Sequence, residues 1–172
     1  MTRAVAARDD GQRAPEVHRL VSAIDYPMYI ATVADGDRRG GCLVGFTTQC
    51  SIDPPRFLVC ISVRNHTFRI ARTARVMVVH LVPEHGGDLA ELFGSRTGDD
   101  LDKFAMCDWT PGPDGTPVLA GCPNWFAGRV LQRIPAGDHW AFLLDTFAAE
   151  SAPDADAFTF HRAKRIEPGH EA

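Results

Sequence analysis

The chain has 172 residues, 45% of them apolar and 23% charged, which suits one domain with its own core and leaves no room for a second catalytic domain. A formal net charge of −4 argues against nucleic acid or an anionic membrane as partner, and no apolar run approaches the roughly 20 residues that a bilayer span needs. Residues 1–12 lack the apolar segment of a secretory signal, so the expected location is the cytoplasm.

Residues 1–15 mix Arg, Asp, Ala and Gly without periodicity and read as a mobile N-terminal segment, followed by a domain over 16–165 and a polar tail over 166–172. Val17, Leu20, Val21 and Ile24 fall at helical spacing and predict a short amphipathic helix. A strand over 29–34 then leads through the turn Asp35, Gly36, Asp37 into a second strand over 42–48, which stops at Asp53, Pro54, Pro55 because proline cannot donate to a ladder. Residues 56–63 are a third, nearly continuous apolar strand. Arg64, Asn65, His66 and Thr67 open a helix that runs to about residue 73, and 76–82 is a fourth strand. Helical pieces over 88–93 and 100–104 and a Pro- and Gly-rich loop over 109–117 read as an insertion above the sheet. Two longer strands, 125–134 and 139–149, are joined by a tight turn, and 157–160 adds a last strand. Mainly β with short helices, this order favours a barrel over a doubly wound sheet.

Three groups of residues invite chemistry. Around Gly45, the strand Leu43, Val44, Gly45, Phe46 lets a planar ligand approach the main chain, and it continues through Cys50 and Ser51 to the double proline; the same run also reads as an ordinary strand with a proline stop. Ser62, Arg64, Asn65, His66 and Thr67 gather hydroxyl, amide and cationic donors at a helix start, which suits a phosphate, although Asn65 serves equally as a plain N-cap and Arg64 as a solvated charge. Gly137, Asp138 and His139 put an imidazole at a strand entrance, where it either contacts a ligand or merely ends a turn.

Other chemistries lack their signatures. No G-x-G-x-x-G joins a strand to a helix, no P-loop lysine or G-x-S-x-G elbow is present, and Trp109, Trp125 and Trp140 are too dispersed to stack a nucleic acid. The five cysteines, Cys42, Cys50, Cys60, Cys107 and Cys122, contain no C-x-x-C pair and read as reduced thiols. The histidines show no ligand spacing, and no metal is expected.

Taken in order, Ser51-Ile52-Asp53-Pro54-Pro55, the strand from Phe57 to Ser62, Asn65-His66-Thr67, Asp102-Lys103-Phe104, Trp109 and Gly137-Asp138-His139 resemble the flavin reductase family over most of the chain. The resemblance implies an FMN-binding split β-barrel and a homodimeric oxidoreductase that uses FMN with NADH or NADPH, with a flavin-dependent monooxygenase as a possible partner. By the same resemblance Leu43 to Phe46, Cys50 and Ser51 border the isoalloxazine and ribityl chain, Arg64 to Thr67 hold the phosphate, and Gly137, Asp138 and His139 bind the nicotinamide, with His139 near hydride delivery. Leu43, Gly45 and Phe46 stand where members of the family often carry hydroxyl side chains, and Val79 and His80 replace a common Asn. A deazaflavin enzyme and a non-catalytic flavin-binding or sensing protein are therefore the alternative readings.

Overall fold

The computed structural model describes residues 10–153 and 156–169. In chain order the elements are α1 (Asp10–Ser22), β1 (Tyr29–Asp35), β2 (Arg38–Val44), β3 (Thr47–Ser51), β4 (Arg56–Ser62), α2 (His66–Ala71), β5 (Val76–Leu81), α3 (Gly87–Ser95), β6 (Trp109–Pro111), β7 (Pro117–Leu119), β8 (Trp125–Pro135), β9 (His139–Glu150) and α4 (Phe160–Ala163). Seven strands form one antiparallel sheet in the order β2-β1-β5-β8-β9-β4-β3, and β6 and β7 form a separate small hairpin.

The edge strands β2 and β3 are consecutive in sequence, joined only by Gly45 and Phe46, so the sheet must coil until its two ends meet. The Cys60 N–H donates to the Phe46 carbonyl at 2.9 Å, which carries the β3–β4 pairing one residue into the connection. No ladder closes the gap, and the result is a split barrel. Register shifts in the β8–β9 pair between Ala127 and Gly128 and between Val130 and Gln132 add the local bend that such coiling requires.

Period-two alternation sorts the apolar residues to the two faces of the sheet. Ala31 and Val33 of β1 and Met77 and Val79 of β5 point into the barrel, where they meet Val59, Ile61, Phe142 and Leu144. On the opposite face Ile30 packs with Met28, Val82 and Phe93, while Val76 and Val78 meet Ala127. β1 and β5 are buried almost end to end because β7 of the small hairpin packs on the outer side of both and the α3 residues Ala90 and Phe93 join the cluster around Ile30, which explains their continuous apolar reading.

His80 belongs to that covered layer. It is fully buried, its Nδ1 lies 3.0 Å from the Ile30 carbonyl, and its Nε2 accepts the Leu119 N–H at 3.1 Å. This pairing fixes the neutral tautomer with the proton on Nδ1, and burial pushes the pKa down to about 4.

The structure departs from the sequence expectations in four places. The strand expected over 42–48 breaks at Gly45 and Phe46, which turn the chain from one sheet edge to the other. The segment 109–117 is a hairpin, because the Thr32 hydroxyl donates to the Pro117 carbonyl at 2.6 Å and docks it on β1. The helix expected over 100–104 shortens to a 3₁₀ turn, Lys103–Ala105, capped by Asp102. Residues 157–160 make only isolated bridges, Pro27 with Thr159 and Pro83 with Ala157, before α4 begins.

At the ends, α1 already begins at Asp10, inside the segment expected to be mobile. Residues 1–9 and 170–172, which complete the expected terminal segment and tail, lie outside the described residues.

Candidate functional site

The gap in the barrel is a cleft of about 330 Å³. One side is the end of β2 with the Gly45–Phe46 connection, and the other is the end of β4 with the first residue of β9. Leu43, Val44, Gly45, Phe46, Ser62, Asn65 and His139 all line it, so the tertiary fold joins parts of the three groups singled out in the sequence. Register explains part of this convergence: Ser62 and His139 are direct partners in the β4–β9 ladder, and the Val63 N–H donates to the Asp138 carbonyl at 3.0 Å.

His139 is held in place by two contacts. Its Nδ1 is 2.8 Å from Asp138 Oδ1, and its ring centroid is 5.3 Å from that of Phe46. The His139 hydrogen bond is the main reason the exposed Asp138 carboxyl lies below the usual carboxylate range. The turn that presents this pair needs Gly137, whose φ of 91° lies in the left-handed region that a side chain disfavours. Gly137 and Asp138 thus support the imidazole without lining the cleft.

At the other polar corner Asn65 caps α2, its Oδ1 accepting the Thr67 N–H at 3.0 Å. Arg64 is exposed on the loop between Ser62 and Asn65. The next two residues leave the cleft, as the helical turn dictates. Thr67 is buried against β2, and His66 faces a separate polar cavity of about 320 Å³. There His66 and Arg69 both bond Asp99, and these bonds, His66 first, bring its carboxyl down to about 2.

Cys50 and Ser51 also fall outside the cleft. β3 runs away from the gap, so that Ser51 stands opposite Arg56 while the cleft begins at Cys60, a separation of about 13 Å at strand rise.

Other wall residues carried no sequence signal that set them apart from core. Phe93 and Gly94 come from α3, and Tyr26 stacks flat on Phe160 at 4.6 Å between centroids. Ala163, Lys164, Ile166 and Pro168 bring the C-terminal segment, expected as a polar tail from residue 166, down onto the cleft.

Apolar walls with a hydroxyl, an amide and an imidazole at one end suit a flat aromatic group bearing a polar chain. Two thiols, Cys42 and Cys60, share the lining, but burial raises both, Cys42 to about 11, so neither is a ready thiolate. Among the described residues no cluster of three metal-ligating side chains exists. The apolar walls therefore offer position and exclusion of water to a bound group.

Comparison with known proteins agrees with this geometry. The family model described as a flavin reductase like domain matches residues 21–167. The NADH:FMN oxidoreductase of Rhodococcus qingshengii is 36% identical over 134 residues, 73% of this chain and 68% of that protein. The stachydrine N-demethylase reductase subunit Stc3 of Rhizobium meliloti (strain 1021) is 30% identical over 118 residues, 66% of this chain and 50% of that protein. The chain spans half the length or less of the first curated relatives it matches. The NADH:FAD oxidoreductase SgcE6 of Streptomyces globisporus C-1027 has the same fold, with a TM-score of 0.79 over 90% of this chain and 92% of that one at 21% identity.

Proposed function

We propose that this chain, which belongs to the flavin reductase family, is an FMN-dependent oxidoreductase that takes hydride from NADH or NADPH at the split in its barrel. The observation that carries the proposal is the convergence of Leu43 to Phe46, Ser62, Asn65 and His139 on one apolar cleft with a single polar corner. FMN matches that shape: the walls accept the ring, and Ser62, Asn65 and the nearby Arg64 hold the phosphate with charge-assisted hydrogen bonds. When bound, the flavin supplies a two-electron acceptor. The Gly45 and Phe46 carbonyls accept the Thr47 and Cys60 N–H groups, so it is the main-chain N–H groups of this connection that serve the ring edge where the side chains carry no hydroxyl. His139, steadied by Asp138 and Phe46, orients the nicotinamide at the mouth.

A homodimer completes the site in this reading. Val17 and Leu20 of α1 and Ile24 just beyond its end are 52%, 69% and 52% exposed, and Phe46 and Phe147 are exposed on the barrel. Open apolar hollows beside Phe57, one reaching Tyr29 and Val21 and one reaching Phe126 and Phe147, are suited to a symmetrical contact. The five free cysteines fit a reducing cytoplasm. A flavin-dependent monooxygenase is the natural consumer of the product, as the name of another relative, the flavin-dependent monooxygenase reductase subunit HsaB of Rhodococcus jostii (strain RHA1), suggests.

The deciding experiment is anaerobic mixing of FMN-loaded protein with NADH and, separately, NADPH while the flavin absorbance is followed. Bleaching within seconds is the expected result. Colour that persists with both donors, yet disappears with dithionite, assigns the chain to a flavin-binding protein instead.

A further inference from the structure

Among the described residues Lys103 is the only buried side chain with a formal charge at neutral pH, 5% exposed, and it forms no salt bridge there. Its ammonium donates to the Gly41 carbonyl at 3.1 Å and to the Phe93 carbonyl at 3.2 Å, and it lies 5.4 Å from the centroid of the Phe93 ring. Gly41 directly precedes Cys42, which lines the cleft, and Phe93 lines it from α3. Lys103 thus ties together two walls of the cleft from behind. The packing leaves no slack, because a Cβ on Gly41 would stand 2.6 Å from the Phe93 ring.

Burying a cation without a carboxylate is costly, and two carbonyls and a ring offset only part of it. A neutral donor would tie the same carbonyls together more cheaply, so the charge itself needs a purpose. The reaction proposed above supplies one, and the inference rests on that reading. A C–H bond of the dihydronicotinamide breaks with both electrons, an N–H bond forms on the flavin, and the nicotinamide leaves as a cation. The flavin gains one negative charge. Neither thiol that lines the cleft is suited to neutralise it, since burial raises both.

We propose that Lys103 is an electrostatic positioning residue for the reduced flavin, its buried ammonium stabilising the negative charge that hydride transfer leaves in the cleft. Other cations are poorly placed for this task. Lys164 lies at the rim, exposed, on the Phe160 ring with its ammonium bonded to the Ser22 carbonyl, and Arg64 is exposed, so solvent screens both. The charged groups on the outer side of Lys103 are Asp37, Asp99, Asp100 and Asp102 with Arg39 and His66; the four carboxylates are exposed, whereas the side toward the cleft presents only Cys42. Protein field effects of this kind tune a flavin's preference for its reduced form.

The test is the midpoint potential of bound FMN, measured by equilibration with a reference dye under dithionite so that NADH oxidation is not involved. Lys103→Gln, which keeps a donor but loses the charge, should bind reduced relative to oxidised FMN at least tenfold less well, a fall of about 30 mV or more for two electrons. Lys103→Arg should retain most of the wild-type potential, and Lys164→Met should shift it less than Lys103→Gln. A folded Lys103→Gln protein with wild-type potential overturns the proposal, as does a larger shift in Lys164→Met.

Should Lys103→Gln fail to fold, the wild type decides. A reduced flavin held as an anion takes up one proton per two electrons, and the potential then falls by about 30 mV per pH unit from below the pKa of free reduced FMN measured alongside. Twice that slope up to the free pKa overturns the proposal. Wild-type protein that NADH and NADPH cannot reduce, but whose potential follows these predictions, removes the reductase reading and leaves the charge assignment intact; failure to bind FMN removes both.

Discussion

Acid should weaken this protein through His80, by an amount that follows from its burial. The imidazole is neutral, pinned between the Ile30 carbonyl and the Leu119 N–H, and its pKa is depressed from 6.5 to about 4. Below pH 6.5 the unfolded chain takes up a proton that the folded one refuses, so stability is complete above 6.5 and is lost as pH falls toward 4. Each pH unit in that window is worth about 1.4 kcal/mol, giving a loss near 2 kcal/mol at pH 5 and about 3 kcal/mol at pH 4 from this one group. The assay is urea unfolding of wild type and His80→Asn at several pH values between 8 and 4.5. An asparagine keeps the donor to Ile30 but cannot reach Leu119, so the variant is expected to be less stable at pH 8 by about 1 to 3 kcal/mol. The gap should shrink with acid, because only the wild type carries the His80 penalty and other titrating groups cancel in the difference. A gap that stays constant from pH 8 to 4.5 refutes both the neutral tautomer and the depressed pKa.

Four further outcomes are expected. His139→Ala should lower kcat/KM for the nicotinamide donor by about ten- to a hundredfold, or about 1.4 to 2.7 kcal/mol, with FMN affinity and melting temperature nearly unchanged in parallel titrations and thermal scans. Ser62→Ala combined with Arg64→Ala should weaken FMN at least tenfold in a fluorescence titration, whereas Asn65→Ala should also cost about 1 kcal/mol of stability in urea because it uncaps α2. Gly41→Ala should destabilise the fold by about 1 to 3 kcal/mol in the same urea assay, since the added carbon meets the Phe93 ring and the nearby Phe104 ring. Sedimentation should show the loaded wild type as a dimer at micromolar concentration and Leu20→Asp as a monomer with reduced flavin affinity; a monomeric loaded wild type refutes the dimer.

Much of the strand order was legible because an alternating or continuous apolar run between turn residues has few other uses. Residues 29–34, 56–63 and 76–82 were identified in this way, and the fold agrees. Of the cleft, Leu43 to Phe46, Ser62, Asn65 and His139 were legible because glycine, helix caps and turns leave local marks. Tyr26, Phe93, Phe160 and Ile166 leave none, since an aromatic or aliphatic residue that walls a cleft is chemically the same as one that fills a core. Nearness along the chain also proved a poor guide to which residues line the cleft. Cys50 and Ser51 follow the cleft strand closely in sequence, but the break at Gly45 and Phe46 starts a new strand that carries them away from the gap. His66 and Thr67 adjoin Asn65, but a helix turns about 100° per residue and so aims neighbours at different cavities. The sequence by itself determined which segments become strands, where the chain turns and which donors stand at those turns, because these are decided within a few residues. Only the tertiary structure decided which donors meet: coiling of the sheet placed residues 43–46 beside residues 60–65 and 139, and left one ammonium, Lys103, sealed behind them.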